Sequence, residues 1–199
     1  MEQYVRFNNG NKVCYGLVKG EMVTELIGEE FSDFKESGRE HSLASVKLLS
    51  PCTPTKAVCI GLNYKDTILE PGAKWPEEPL LFMKPSTSIA NPGENIVKWP
   101  MTEDLAFEAE LAIVIGKKAH LVAEADAHKY IWGYTIGNDV TAKDLQKKDG
   151  LWARSKSFDT FLPLGPWIVR GIDAHNLTIT SYVNGQQKQK GNTADLIFG

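Results

Sequence analysis

The chain has 199 residues and a formal net charge of -3, and 42% of its residues are hydrophobic and 24% charged. This length allows one sizeable core, or a small domain attached to a larger one, and the composition is that of a folded globular protein. The charge balance gives no basic field for nucleic acid or an anionic membrane, no apolar run reaches the length of a membrane span, and the first residues lack a signal-peptide pattern, so we expect a cytoplasmic protein without nucleic-acid or membrane partners.

The first fifty residues are rich in strand signals. Residues 4–18 are apolar on either side of Asn9-Gly10, a dipeptide that tolerates the positive φ angles of a tight turn, and they predict a hairpin. Residues 22–27 predict a third strand, whereas residues 28–41 are polar and charged and predict none. We therefore expect a small β-rich N-terminal domain over residues 1–50.

The rest of the chain, residues 51–199, predicts a larger domain. The compact apolar runs at 57–60 and 80–83 predict buried strands. The remaining predicted elements are helices at 123–131 and 141–148, the second capped by Thr141, and strands at 134–136, 167–169 and 177–183. Strands outnumber helices and do not alternate regularly with them, so we expect an α+β fold with a mixed sheet.

Residues 107–116 predict a strand with two acidic side chains on one face. Period-two alternation places Glu108 and Glu110 on the same face as Ala112 and Val114. Because the rest of that face is apolar, the two carboxylates should lie at the edge of a buried surface, where they repel each other unless a cation joins them. Oxygen ligands without a nearby His or Cys favour Mg²⁺ or Mn²⁺ over zinc. The alternative is a solvated edge strand.

A third carboxylate, Asp139, follows a predicted strand and precedes a predicted helix. Loops in this position often place functional side chains in a cleft. By itself, Asp139 is equally consistent with a helix cap. The sequence therefore suggests Asp139 as a partner of the acidic strand and leaves the capping role open.

An ordered set of motifs over about residues 56–199 resembles the fumarylacetoacetate hydrolase family. The set comprises CIGLNY (59–64), FMKP (82–85), EAEL (108–111), VIGK (114–117), GYT (133–135), NDVTA (138–142), KSFDTF (156–161), PLGP (163–166) and VNG (183–185), followed by Gln189, Thr193 and Ile197-Phe198. The motifs are specific to that family as an ordered set, whereas each one alone is weak.

The resemblance implies a mixed β-sheet roll or barrel, usually a homodimer. It implies that Glu108, Glu110 and Asp139 bind Mg²⁺ or Mn²⁺. Members of the family hydrolyse, decarboxylate, isomerise or tautomerise small 2-oxo or β-dicarbonyl acids, and a metal-chelated enolate is common to these reactions. A cation that coordinates a keto oxygen stabilises the negative charge that develops on it.

The resemblance also implies residues that contact the substrate. It places Lys156 near the substrate carboxylate or enolate, although an isolated lysine is more often a solvated surface residue. It places Gln146 within hydrogen-bonding reach of the substrate, and Lys143 lies three residues earlier and can share its helix face. Many relatives have Arg at the position of Lys143, and lysine keeps the charge but loses the bidentate fork.

One departure from the family pattern concerns catalysis. Relatives generally carry a histidine three residues before a glutamate, and here these positions are Thr67 and Glu70. A threonine hydroxyl is not a base at neutral pH, but it could position a water for Glu70. We therefore expect Glu70, Thr67 and Lys156 to be the catalytic residues, with weak carbon–carbon hydrolysis and with tautomerisation or decarboxylation as the remaining chemistry.

A second departure is that the family's chain continues past the Ile197-Phe198 motif into strands that help to close the site. This chain ends at Gly199, which predicts a C-terminally truncated member with open sheet edges. Three alternatives follow. The chain is an active enzyme, a degenerate member that binds metal and ligand with little or no turnover, or a structural or partner-binding module.

Overall fold

A computed structural model gives the fold and describes residues 1–31, 33–67 and 74–199. Five strands come from the first fifty residues: β1 (Glu2–Asn8), β2 (Val13–Lys19), β3 (Met22–Ile27), β4 (Lys35–Ser42) and β5 (Lys47–Leu49). The predicted hairpin and third strand are confirmed. Strand β4 was not predicted because its side chains are polar; it pairs with β3 at the end of the sheet, where most of those side chains face solvent.

The remaining strands are β6 (Lys56–Gly61), β7 (Leu80–Pro85), β8 (Ile89–Ala90), β9 (Leu105–Ala106), β10 (Ala109–Ile115), β11 (Ile131–Asn138), β12 (Thr141–Ala142), β13 (Leu162–Pro163), β14 (Ile168–Arg170), β15 (Thr178–Val183) and β16 (Gln186–Asn192). The two α-helices are α1 (Lys143–Asp149) and α2 (Ala153–Lys156). Short 3₁₀ turns occupy Leu43–Ser45, Lys65–Thr67, Ser86–Ser88, Glu124–Tyr130 and Thr193–Asp195. No helix among the described residues is long and apolar enough to cross a membrane.

Both predicted helices differ from the observed elements. The segment predicted as a helix at 123–131 is the 3₁₀ turn Glu124–Tyr130. The helix predicted at 141–148 begins at Lys143, and Thr141 does not cap it. Thr141 is buried in β12, where it pairs with Ala106 and donates a hydrogen bond from Oγ1 to the carbonyl oxygen of Asp139 at 3.1 Å. A residue held in a strand in this way cannot also cap the helix.

One sheet joins both parts of the chain. It has eight strands in the order β10-β11-β14-β1-β2-β3-β4, with β5 paired to β1. Its pairs are antiparallel, whereas β13 and β8 pair in parallel, so the mixed α+β expectation is confirmed. The first hydrophobic cluster lies behind β10, β11 and β14 and includes Val114, Trp132 and Ile168. A second cluster around Val5 and Phe7 fills the N-terminal part of the sheet.

The strands predicted at 57–60 and 80–83 are confirmed as β6 and β7, but within this chain their hairpin is buried on one face only. Val58 and Met83 are cross-strand partners, as are Ile60 and Leu81, and all four side chains are exposed. The opposite face includes Lys84, which is fully buried. An apolar run in a strand shows that both faces are hydrophobic, but it does not show whether both faces are covered.

Candidate active site

The pairing of β10 with β11 brings the three predicted carboxylates to one end of the sheet. Glu108 precedes β10, Glu110 lies within it, and Asp139 follows β11. The amide of Asp139 donates to the carbonyl oxygen of Glu108 at 2.8 Å, and the amide of Glu108 donates to Asn138 Oδ1 at 3.0 Å. Ala109 pairs with Asn138 in the ladder. Backbone hydrogen bonds therefore fix the positions from which these carboxylates project.

Two buried lysines face these carboxylates. Lys156 Nζ lies 3.1 Å from Glu108 Oε2 and 2.5 Å from Asp139 Oδ2, and its side chain is 4% exposed. Lys84 Nζ lies 2.7 Å from Asp139 Oδ1, and its side chain is fully buried. Lys143, from α1, donates to Glu108 Oε1 at 2.7 Å and is one-third exposed. Asp139 is thus held between two ammonium groups.

Glu110 differs from the other two carboxylates. It makes no hydrogen bond or ion pair with any residue that the structure describes. Burial, together with the nearby charges of Asp139 and Glu108, raises the pKa of Glu110 to about 7. Burial also opposes ionisation of Glu108, but Lys156 and Lys143 outweigh it and leave the pKa of Glu108 lowered.

The chemistry of this group fits a hard divalent cation. Its donors are carboxylate oxygens, and Asp139 Oδ1 is buried without a geometrically acceptable hydrogen bond, although it lies within ion-pair distance of Lys84. Within residues 1–31, 33–67 and 74–199, no three His, Cys, Asp or Glu side chains are grouped closely enough to hold a metal ion as they stand. The ammonium of Lys156 lies between Glu108 and Asp139 and keeps these two carboxylates apart. Because all of the donors are carboxylate oxygens, the residue types suit Mg²⁺ or Mn²⁺.

Aromatic side chains surround Lys156. Its Nζ lies 4.8 Å from the ring centroid of Phe82 and 5.9 Å from that of Trp152. Trp152 packs directly on Gly61, where an added Cβ would lie only 2.4 Å from the indole ring. Ring faces attract a cation and restrict its movement. Lys156 is therefore a buried, oriented cation and not the solvated lysine of the alternative interpretation.

Gln189 supports the acidic strand from β16. Its Oε1 accepts from the amide of Ala109 and its Nε2 donates to the carbonyl oxygen of Ala109, both at 2.8 Å. Ala109 lies between Glu108 and Glu110, so the amide side chain of Gln189 occupies the place of a neighbouring strand. The sequence motifs included Gln189 and Lys84, but no pattern in the sequence indicated what either side chain contacts.

The loop that leads to the predicted catalytic pair is held by the end of the chain. The side-chain amide of Asn63 donates to the carbonyl oxygen of Phe198 at 3.0 Å and accepts from its N–H at 2.9 Å. The amide of Ile197 donates to the carbonyl oxygen of Asn63 at 2.8 Å. Glu70 and the side chain of Thr67 lie outside the described residues, so their catalytic assignment stays a prediction.

The predicted substrate-binding residues of α1 lie on the first turn and a half of that helix. Lys143 contacts Glu108, as described above. Gln146 is partly buried, and its side chain makes no hydrogen bond with the described part of the chain. The structure therefore places Lys143 at the carboxylates, whereas the role of Gln146 stays a prediction.

Two family profiles match the chain. Residues 56–199 match the profile described as fumarylacetoacetate (FAA) hydrolase C-terminal. Residues 2–51 match the profile described as Rv2993c-like, N-terminal. The first match alone covers well over half of the chain and contains all of the carboxylates and lysines described above.

Individual relatives and solved structures agree with these profiles. An uncharacterized protein of Methanocaldococcus jannaschii is 44% identical over 176 residues, which cover 87% of this chain and 74% of that protein. The rat mitochondrial oxaloacetate tautomerase Fahd2a is 40% identical over 160 residues, which cover 78% of this chain and 51% of that protein. The 2-hydroxyhepta-2,4-diene-1,7-dioate isomerase of Mycobacterium marinum has a TM-score of 0.90 at 38% identity, over 99% of this chain and 77% of that one. The chain belongs to the fumarylacetoacetate hydrolase family and is an enzyme of its hydrolase and isomerase group.

Proposed function

We propose that this enzyme is divalent-metal-dependent and interconverts the enol and keto forms of a small 2-oxo acid such as oxaloacetate. The observation that carries the proposal is the group of three carboxylates at the end of β10 and β11, in which Glu110 is partly buried and has no hydrogen-bond or ion-pair partner among the described residues. The similarity to oxaloacetate tautomerases of rat and of Xenopus laevis, at 40% and 44% identity, supports the choice of reaction.

Glu108, Glu110 and Asp139 would hold the cation, Mg²⁺ or Mn²⁺. When bound there, the cation supplies a Lewis acid that stabilises negative charge on a keto oxygen. Lys156 supplies a positive charge beside the same carboxylates and, held by Phe82 and Trp152, is suited to bind an anionic oxygen of the substrate.

The proton transfers are assigned to the loop after Asn63. Conversion of the keto form to the enol removes a proton from the carbon next to the keto group and adds one to the keto oxygen. We assign removal of the carbon-bound proton to the carboxylate of Glu70. Thr67 would position a water for that carboxylate, while Lys143 and Gln146 bind the substrate from α1. Hydrolysis of a carbon–carbon bond needs a base with a pKa near neutrality, for which histidine is suited and threonine is not.

A homodimer is part of the proposal. It is supported by an apolar strip that is exposed on the surface of the single chain and consists of Val58, Ile60, Leu81 and Met83. Contiguous exposed apolar patches mark surfaces that bind other proteins. The strip lies on the outer face of the hairpin whose inner face contributes Phe82 and Lys84 to the site.

The test compares wild type with Thr67→His and with Thr67→Asn. The asparagine variant is the control, because its side chain is polar but cannot act as a base. Each protein is assayed with Mg²⁺ for oxaloacetate tautomerisation, from the ultraviolet absorbance of the enol, and for acylpyruvate hydrolysis. We expect tautomerisation by the wild type, weak hydrolysis, and a gain in hydrolysis for Thr67→His only. Rapid hydrolysis by the wild type without that gain would contradict the assignment of Thr67. Mg²⁺ binding without either activity would identify a degenerate member.

A further inference from the structure

Lys84 is the most deeply buried charged group in the site. Its ammonium donates to the carbonyl oxygens of Val140 at 2.8 Å and Phe161 at 2.7 Å, and it lies 2.7 Å from Asp139 Oδ1. The side chain has no exposed surface. An ammonium has three protons and accepts none, so two of its protons are used by the carbonyl oxygens, while its charge pairs with Asp139.

Stability alone does not explain a lysine at this place. Taking an ammonium out of water is costly, and replacing buried ion pairs by apolar residues of similar volume is often neutral or stabilising. Such a replacement would have to change the buried Asp139 as well, because removal of Lys84 alone would take one ion-pair partner from that carboxylate and a donor from the carbonyl oxygens of Val140 and Phe161. The contacts of Lys84 therefore point to a role in the site.

These contacts join three separate segments. Lys84 lies on β7, Val140 follows Asp139 in the loop after β11, and Phe161 precedes β13. The amide of Val140 donates to the carbonyl oxygen of Phe161 at 3.1 Å, so the two loops are already adjacent. Lys84 binds the first loop at Val140, the residue after Asp139, and the second loop at Phe161, and it also faces the Asp139 carboxylate. Rotation of that carboxylate would move Oδ1 away from Lys84 Nζ and break this ion pair.

We propose that Lys84 is a positioning residue that holds Asp139 in the orientation required of a metal ligand. The inference rests on the proposed metal site. Lys84 differs from Lys156, which contacts two of the carboxylates and is assigned to the substrate. Lys84 contacts only Asp139 among the three carboxylates and is bonded to backbone on its other sides, so it acts through Asp139.

The test measures Mn²⁺ affinity by calorimetry in wild type, Lys84→Met and the control Lys56→Met. Lys56 is an exposed lysine opposite Pro85 on the neighbouring strand. We expect Lys84→Met to weaken Mn²⁺ binding at least tenfold, about 1.4 kcal/mol, and Lys56→Met to leave it unchanged. Absence of Mn²⁺ binding by wild type would overturn the metal site and this inference with it. Wild-type binding that Lys84→Met preserves would overturn the inference alone.

Two spectroscopic readouts separate positioning from general support of the fold. With Co²⁺ as probe, Lys84→Met should change the electronic absorption spectrum of the bound ion, because the ligand arrangement changes. An unchanged spectrum would contradict the proposal.

If Lys84→Met does not fold, ¹⁵N-lysine labelling of the wild type gives the second measurement. The slowly exchanging ammonium signal that persists in Lys156→Met belongs to Lys84. Its chemical shift should change on saturation with Mg²⁺. A chemical shift that does not change would overturn the inference.

Discussion

Two clusters of charge in this molecule differ in how their carboxylates are paired with basic side chains. In the N-terminal part of the sheet, Glu25 is 2% exposed and faces three basic side chains: Lys12 Nζ at 2.9 Å, Arg39 Nη2 at 2.5 Å and His41 Nε2 at 3.3 Å. Hydrogen bonds from Arg39 and then Lys12 hold the pKa of Glu25 well below its usual range. The active site has three carboxylates and three lysines, but these lysines form ion pairs with Glu108 and Asp139 and none with Glu110.

The difference shows that a buried carboxylate does not by itself indicate function. Glu25 has more cationic partners than it needs, and those partners reach solvent, so nothing further is required to stabilise it. Glu110 has no partner among the described residues, and its pKa is raised to about 7 by burial and by Asp139 and Glu108. Partly buried carboxylates without a partner and with a raised pKa are typical of functional sites. The balance of partners distinguishes the structural cluster from the functional one.

The largest effect should come from Glu25→Gln. Hydrogen bonds to charged groups contribute about 1.5–3 kcal/mol each, but the partners of Glu25 are partly solvated, so we expect a loss of about 2 kcal/mol in the free energy of unfolding. Mn²⁺ affinity should not change. Urea unfolding measures the loss, and Glu36→Gln is the control because its pair with Lys19 is about half exposed and should contribute less than about 1 kcal/mol. Equal losses of unfolding free energy in Glu25→Gln and Glu36→Gln would show that Glu25 contributes no more to stability than an exposed ion pair.

Glu110→Gln should have the opposite effects, with weaker metal binding and no loss of stability. It removes one of the three ligand carboxylates, so the Mg²⁺ dissociation constant should rise at least tenfold, about 1.4 kcal/mol. The unfolding free energy of the metal-free protein should not fall, because the change removes an unpartnered buried charge. Calorimetry and urea unfolding of the same preparations measure both quantities. Unchanged Mg²⁺ affinity here and in Asp139→Ala would place the metal elsewhere.

The smallest effect concerns pH. The folded pKa of Glu25 is depressed, so its ionised form stabilises the fold at pH values above 4.5, the ordinary pKa of a glutamate. That contribution decreases as pH falls below 4.5 and is lost as pH passes through the lower folded pKa. The stability difference between wild type and Glu25→Gln should therefore be constant around neutral pH and shrink in acid. A difference that stays constant in acid would show that Glu25 is not ionised in the folded state.

Local patterns predicted several features of the site. Alternation along residues 107–116 correctly placed Glu108 and Glu110 on the face that contains Val114, which is buried, whereas Ile113 and Ile115 on the other face are exposed. The same kind of reasoning failed for residues 57–60 and 80–83, whose outer faces are not covered. Thr141 was assigned to a helix cap, but pairing with Ala106 placed it in a strand.

By itself, the sequence determined the α+β class and the family and predicted that Glu108, Glu110 and Asp139 form one site, because strand period and motif order can be read from the order of residues along the chain. Only the tertiary structure decided which cation faces which carboxylate. Lys84 is 56 residues from Val140 and 77 from Phe161, and Gln189 is 80 from Ala109. Contacts over such separations depend on how strands pair and pack, because a periodic pattern defines which residues share a face but not what that face meets.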